Sequence, residues 1–198
     1  MKILATSDIH GNEEAVKKLA NDAQKDGADL VIIAGDISDF DETPNGMIGP
    51  FLKKNKKVAF VMGNHESPGT DEFLVEKYKI TNLQGYSFMV GDVGFFGCGG
   101  ANIGINFMSE EQMHYYLAMG FKYIQKAKKK VMVTHVHPSG SKVEKFSFPG
   151  SAAVTHAIYQ FKPDVHICGH IHEMEGFEEQ IGKTKVVCVG ARGKMIEV

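Results

Sequence analysis

The stretch "DLVIIAGDISD" (Asp29–Asp39) decides how this chain folds. Leu30 to Ala34 form a short apolar run without alternation, the pattern of a strand buried on both faces. Gly35 ends the run, and a carboxylate, Asp36, follows at once. Four other stretches repeat this order. "KILATS" runs into Asp8-Ile9-His10, and "KVAFVMG" into Asn64-His65-Glu66. "KVMVT" runs into His135, and "DVHIC" into Gly169-His170-Ile171-His172. Each predicted strand therefore ends in Asp, Asn or His. In open α/β sheets, sites form just beyond the carboxyl ends of the strands, so these tips are expected to converge on one spot. The glycines let the chain turn sharply and bring backbone close to a ligand.

Helical patterns separate the strands. "NEEAVKKLANDAQKDG" carries Ala15, Val16, Leu19, Ala20 and Ala23 on one stripe, with Asn12 as N-cap and Gly27 as the stop. "SEEQMHYYLAMGFKYIQKAKKK" is a long helical stretch with a break expected near Gly120, and "SAAVTHAIYQFK" is a second helix. "SFMVGDVGFFGCGG" predicts two strands about the tight turn Gly91-Asp92. From Glu175 onward strand follows strand, which points to antiparallel pairing. There is no linker and no internal repeat. These patterns predict an α/β chain forming a single domain over residues 1–198, with mixed sheets flanked by helices.

Composition narrows the function classes. The formal net charge is −2, without the broad positive field of a non-specific nucleic-acid binder. The clusters Lys53–Lys57 and Lys126–Lys130 each precede a predicted strand and fit solvated helix ends. Nucleic acid is expected at most as a substrate. The longest apolar runs are too short to span a membrane, and Asp8 and His10 interrupt the N-terminus where a signal peptide would stay apolar. Cys98, Cys168 and Cys188 are far apart without a CxxC, which fits buried thiols and a reducing, cytoplasmic setting.

The donors at the strand tips are Asp, Asn and imidazole without thiolate. That set favours Mn²⁺, Fe²⁺, Zn²⁺, Ni²⁺ or Co²⁺ over a sulfur-rich structural zinc site. Asp8 and His10 stand at i and i+2, as do His170 and His172, so each pair can point one way from extended chain. The donors are too numerous for one tetrahedral ion, whereas two ions sharing a carboxylate would account for them.

At this level the chain resembles the calcineurin-like metallophosphoesterases. "DIH", "GDISD", "GNHE", the strand-end His135 and "GHIH" match that family's ordered motifs D-x-H, G-D-x-x-D, G-N-H-[DE], H and G-H-x-H. One such motif is weak evidence, but five in order are specific. The resemblance implies a four-layer α-β-β-α sandwich and, from the short length, a cap-less phosphodiesterase-type member. It implies one metal held by Asp8, His10, Asp36 and His172. A second would be held by Asp36, Asn64, His135 and His170, with Mn²⁺ the favoured ion. The implied reaction is in-line attack of a metal-bridging hydroxide on a phosphate ester, with His65 as general acid. Glu66 is expected to orient His65, and Asp39 to hold a ligand imidazole.

Some assignments stay open at this stage. His137 shares with His135 the i, i+2 relation, and either can be the ligand; His135 ends the apolar run directly. His114 and His156 sit in helical patterns and suit packing, and His166 lies inside its strand. "GCGGANIG" (Gly97–Gly104) lacks the features of a P-loop and reads as a rim loop. Specificity is expected from the loops at 40–50, 97–109 and 136–150, the last including Phe146, Phe148 and Pro149. Arg192 is the sole arginine, which favours diesters over dianionic monoesters. A phosphomonoesterase acting on the same metal centre is the alternative enzyme. A non-catalytic protein-binding scaffold is the alternative of another class, and homo-oligomerisation is possible.

Overall fold

The computed structural model describes residues 1–42, 45–146 and 148–198, except the side chain of Phe146. It contains two mixed sheets between two helical layers. The first sheet is ordered β11-β1-β2-β3-β4: Lys194–Glu197, Lys2–Thr6, Leu30–Ala34, Lys57–Val61 and Thr81–Asn82. β1 to β4 run parallel, and β11 is antiparallel to β1. The second is ordered β5-β6-β7-β8-β10-β9: Ser87–Val90, Val93–Cys98, Lys129–Thr134, Val165–Cys168, Thr184–Cys188 and Glu178–Ile181. Its four central strands are parallel, with antiparallel β5 and β9 at its edges.

The side-chain period of two sorts each strand between two cores. Ile3, Ala5, Leu30, Ile32, Ala59 and Val61 meet Phe95, Val131, Val133, Val165, Ile167 and Val187 between the sheets. The alternate residues of the first sheet, such as Leu4, Val31, Ile33 and Phe60, pack on helices α1 (Glu13–Lys25), α2 (Gly49–Lys53) and α3 (Pro68–Tyr78). Those of the second, such as Phe96, Met132, Cys168 and Val186, pack on α4 (Glu110–Phe121) and α5 (Ala152–Phe161). The uninterrupted apolar strands read from the sequence are thus buried on both faces.

Local signals explain the helix ends. Asn12 Oδ1 accepts the Ala15 N–H at 3.0 Å and caps α1. Ser109 and Gln112 form a capping box on α4, and Ser151 caps α5. α4 stops at Phe121, close to the expected break at Gly120, and the turn Gly91–Asp92 joins β5 to β6. The lysine clusters are largely solvated; Lys128 pairs with Asp92 and Lys129 with Asp164.

The expectation for the C-terminal strands needs correction. β9 and β10 do pair antiparallel, but β10 runs parallel to β8, and β11 leaves for the first sheet. A strand after a tight turn can be read locally; which sheet it then joins depends on where a free edge lies. α3 gave little sequence signal, because polar Thr70 and Asp71 share its buried face with Leu74, while apolar Phe73 lies off that stripe.

Candidate metal centre

The polar tips of β1, β2, β3, β7 and β8 meet at one rim of the sandwich. Backbone hydrogen bonds stitch these loops together before any side chain is considered. Asp8 N–H donates to Gly35 O (3.0 Å), His10 N–H to Asp36 O (3.0 Å), and Gly169 N–H to His135 O (2.9 Å). Close approach depends on glycine. A Cβ on Gly63 would overlap the Asp36 carboxylate, and one on Gly35 would lie 2.5 Å from His135 Nδ1. Asp8, His10, Asp36 and His170 all take positive φ (52°, 47°, 51° and 71°), a region that L-residues rarely occupy. Strain gathered in this way is common at functional sites.

Asp36 stands at the middle. Its Oδ1 accepts the His65 N–H at 3.0 Å. Its Oδ2 lies 3.4 Å from His135 Nε2, 3.8 Å from His10 Nε2 and 3.9 Å from His65 Nε2. On one side, His10 Nε2 and His172 Nε2 are 3.2 Å apart, with Asp8 Oδ1 3.5 Å from the latter. On the other, His135 Nε2 sits 3.1 Å from Asn64 Oδ1 and 3.2 Å from His170 Nδ1. All seven residues expected to ligate metal are therefore gathered at one place. His137 is not among them: its Nε2–H donates to Phe148 O at 3.1 Å, behind the rim.

The donor chemistry fits divalent cations. His135 Nδ1 lies 2.8 Å from the Ala34 carbonyl, which can only accept, so Nδ1 carries the proton. Its Nε2 lone pair then faces the oxygens of Asp36 and Asn64 with no donor between them. His170 Nε2 is buried without a partner. Among the described residues, Asp8 with His10 and His172, and Asp8 with Asp36 and His135, each place three donor atoms within 4.8 Å of one another. Such a geometry calls for an electropositive centre.

The electrostatics agree. Burial alone would lower the His135 pKa, but Asp36 and then Asp8 overcome it and push it up to about 10. Burial would raise Asp36, yet His135 and then the backbone N–H of His65 hold it well below the usual carboxylate range. Asp8 is likewise held low against its burial, chiefly through His172 and His135. Burial lowers His170 to about 4, while the hydrogen bond to Asp8 raises His172. The carboxylates thus create a field that draws a proton or a metal to the same lone pairs.

Two expected roles are corrected. Glu66 does not touch the His65 imidazole. Its Oε2 accepts from Asp36 N–H (3.0 Å) and Gly63 N–H (2.8 Å), and its Oε1 from Ser38 N–H (2.8 Å) and Oγ–H (3.1 Å). It is a fully buried staple between two loops, and its pKa is raised by burial and then by Asp36. The partner of His65 is Asp39, whose Oδ1 lies 3.0 Å from Nδ1 and only 4.0 Å from His10 Nδ1. Asp39 therefore serves His65 rather than a ligand imidazole. Phe40, at φ 48°, stacks on the His65 ring with centroids 4.0 Å apart.

The comparisons can now be set beside this geometry. The family model of calcineurin-like phosphoesterases matches residues 1–174. The chain belongs to that family. A search of curated proteins returned no match. Among solved structures, TT1561 of Thermus thermophilus superposes with a TM-score of 0.79 at 18% identity, covering 96% of this chain and 90% of the other. A dimetal phosphatase from Danio rerio gives 0.62 at 13%, covering 96% and 88%. A structure described as a novel archaeal phosphodiesterase gives 0.56 at 20%, covering 96% and 84%. At these identities the likeness is one of fold. For this calcineurin-like phosphoesterase, the α/β architecture of two mixed sheets flanked by helices is that of its relatives.

Several contributors had weak sequence signals. Ser38 lies inside "GDISD", but its role depends on Glu66 folding back. The Ser7 hydroxyl lies between two acceptors, the Asp8 carboxylate and the Val189 carbonyl, the latter far away in sequence, and its one proton can serve either. Asn106, in the 97–109 loop, donates to Asn64 O at 3.1 Å. In the 136–150 loop, Glu144 accepts Gly140 and Gly150 N–H groups, and Phe148 is exposed. The expected contribution of the Phe146 side chain lies outside the described residues. Among the described residues, no helix is long and apolar enough to cross a membrane.

Proposed function

We propose that this chain is a phosphodiesterase working through two divalent cations, with Mn²⁺ favoured. Asp8, His10, Asp36 and His172 hold one ion in this reading, and Asp36, Asn64, His135 and His170 the other. The observation that carries it is the position of Asp36 Oδ2, which faces imidazoles from both groups. Two cations bound there supply an activated water and neutralise phosphate charge.

The rest of the chemistry falls to this chain's own groups. Asp39 Oδ1 accepts the Nδ1 proton of His65, which fixes the ring so that a proton on Nε2 is directed to the site. His65 then gives that proton to the departing alkoxide oxygen as general acid. Asp39 is exposed, so the dyad can recover its proton from solvent. Glu66 and Ser38 keep the Asp36 and His65 loops in register and so fix the angle of approach. Diesters are favoured over monoesters because the only guanidinium, Arg192, is engaged by Glu175 at 2.9 Å.

The test compares bis(4-nitrophenyl) phosphate with 4-nitrophenyl phosphate as substrates of Mn²⁺-loaded protein. The diester should be hydrolysed with the higher kcat/KM. Preference for the monoester would make the chain a phosphomonoesterase. Two bound metals with no turnover of either ester would leave the scaffold reading instead.

A further inference from the structure

A cleft of about 1140 Å³ opens between α3 and α4, beside the free edge strands β4 and β5. It holds none of the metal-centre side chains, although Asn106, which binds the Asn64 carbonyl, lies on its wall. Its volume suits a small organic ligand. Its lining has one sign of charge: Asp71, Glu72 and Glu76 face it, and among the described residues that line it none is basic. Tyr86, Tyr115 and Tyr116 add aromatic surface, the first two exposed.

Asp71 is the feature that the fold does not explain. It is 7% exposed, and Asn82 Nδ2–H donates to its Oδ2 at 2.6 Å. Its Oδ1 is buried without a partner. Burial pushes the carboxyl up to about 7 despite the Asn82 bond, with Glu66 and Glu72 adding to the effect. A place in the first turn of α3 suits a carboxylate, because the helix dipole is positive there. That accounts for the charge but not for an unsatisfied oxygen, which a native structure rarely keeps without reason.

We propose that this cleft binds an organic cation that carries N–H donors on a flat body, such as an amidinium or guanidinium. The Asp71 carboxyl borders the cleft, and a turn of it toward the ligand would let an N–H satisfy the buried Oδ1 by a charge-assisted hydrogen bond. The tyrosine rings would take its plane, and Glu72 and Glu76 would attract it from the mouth. The site is distinct from the phosphoester reading and does not depend on turnover.

The test titrates the full chain, isotopically labelled and metal-loaded, with benzamidine and with its neutral isostere benzamide, following amide chemical shifts. Benzamidine should bind at least tenfold more tightly than benzamide, with shifts concentrated in residues 71–86 and 106–119. That advantage should vanish in Asp71→Asn and shrink in the exposed double variant Glu72→Gln/Glu76→Gln. Equal affinity for the two probes, shifts centred elsewhere, or unchanged affinity in the variants would overturn the proposal. If Asp71→Asn does not fold, the double variant decides alone. Because only binding is read, failure here leaves phosphoester hydrolysis standing, and an inactive protein still yields a result.

Discussion

His135 and His172 belong to the two halves of the proposed centre, yet they are held differently. His135 is fully buried, its ring fixed by the Ala34 carbonyl below and Asp36 above. His172 begins a short 3₁₀ turn, and its side chain is 60% exposed. One imidazole is locked by packing and backbone, the other only by side chains, Asp8 Oδ1 at 3.5 Å and His10 Nε2 at 3.2 Å. The buried half should therefore be the pre-formed, tight site and the exposed half the exchangeable one, since fixed donors lose less freedom when they bind.

The largest effect is expected where the halves meet. Asp36→Asn should lower turnover by roughly a thousandfold or more and release at least one metal, since in the proposed two-metal reading its carboxylate would serve both ions. Metal content by elemental analysis checks this, and two full equivalents would dismiss Asp36 as the bridge. Next comes His65→Ala, which should keep both metals but lose about 10²- to 10⁴-fold in kcat, the usual worth of a general acid. Activity equal to wild type would remove His65 from the mechanism.

The comparison itself is tested by His135→Ala against His172→Ala. Excess Mn²⁺ should restore much of the activity of the exposed variant and little of the buried one. Equal rescue would mean that burial does not set the affinity. A pH scan sharpens the point. His135 has a folded pKa of about 10, above its unfolded value near 6.5. In chelated protein its contribution to stability is complete below pH 6.5 and is lost as pH rises through about 10. His170 and His166 have the opposite sign, with pKa values lowered to about 4 and about 3 by burial. Their contribution is present above pH 6.5 and falls away as pH drops toward those values. Tm of chelated protein should thus decline on both flanks. Metal should protect the alkaline flank, where it replaces the His135 proton. An alkaline decline as steep with metal as without would count against His135 as a ligand.

The smallest effect is expected at His166. Its Nε2–H donates to Thr134 Oγ1 at 2.7 Å, that hydroxyl in turn donates to Val136 O, and Nδ1 has no partner. His166→Leu removes that orphan and leaves the hydroxyl bonded. Activity should not change, and stability should move by no more than about 1 kcal/mol. A loss of metal in this variant would tie the helix-facing layer to the site.

Legibility from sequence followed locality. The strands Leu30–Ala34 and Val165–Cys168 could be read because burial on both faces demands apolar runs, and their polar tips stood out against them. Asp8, His10, Asp36, Asn64, His135, His170 and His172 were found because each lies one to four residues beyond such a run. His166 shares their even numbering with His170 and His172, but Gly169 and the positive φ of His170 break the alternation, so parity stops predicting direction there. Glu66 was misread because it follows His65 in sequence, and adjacency suggested contact. Its carboxylate in fact turns inward to donors on the β2 loop.

The sequence by itself determined which residue types end which strands, and with them the family and the inventory of donors, because those are properties of single short segments. Tertiary structure alone decided who pairs with whom: Asp39 with His65, Glu66 with Ser38, β11 with β1, and Asp71 with an oxygen left unbonded beside a cleft. These depend on loops from distant parts of the chain arriving within 3 or 4 Å of one another. No local pattern encodes such distances, since they are set by how two sheets and their helices share a limited volume.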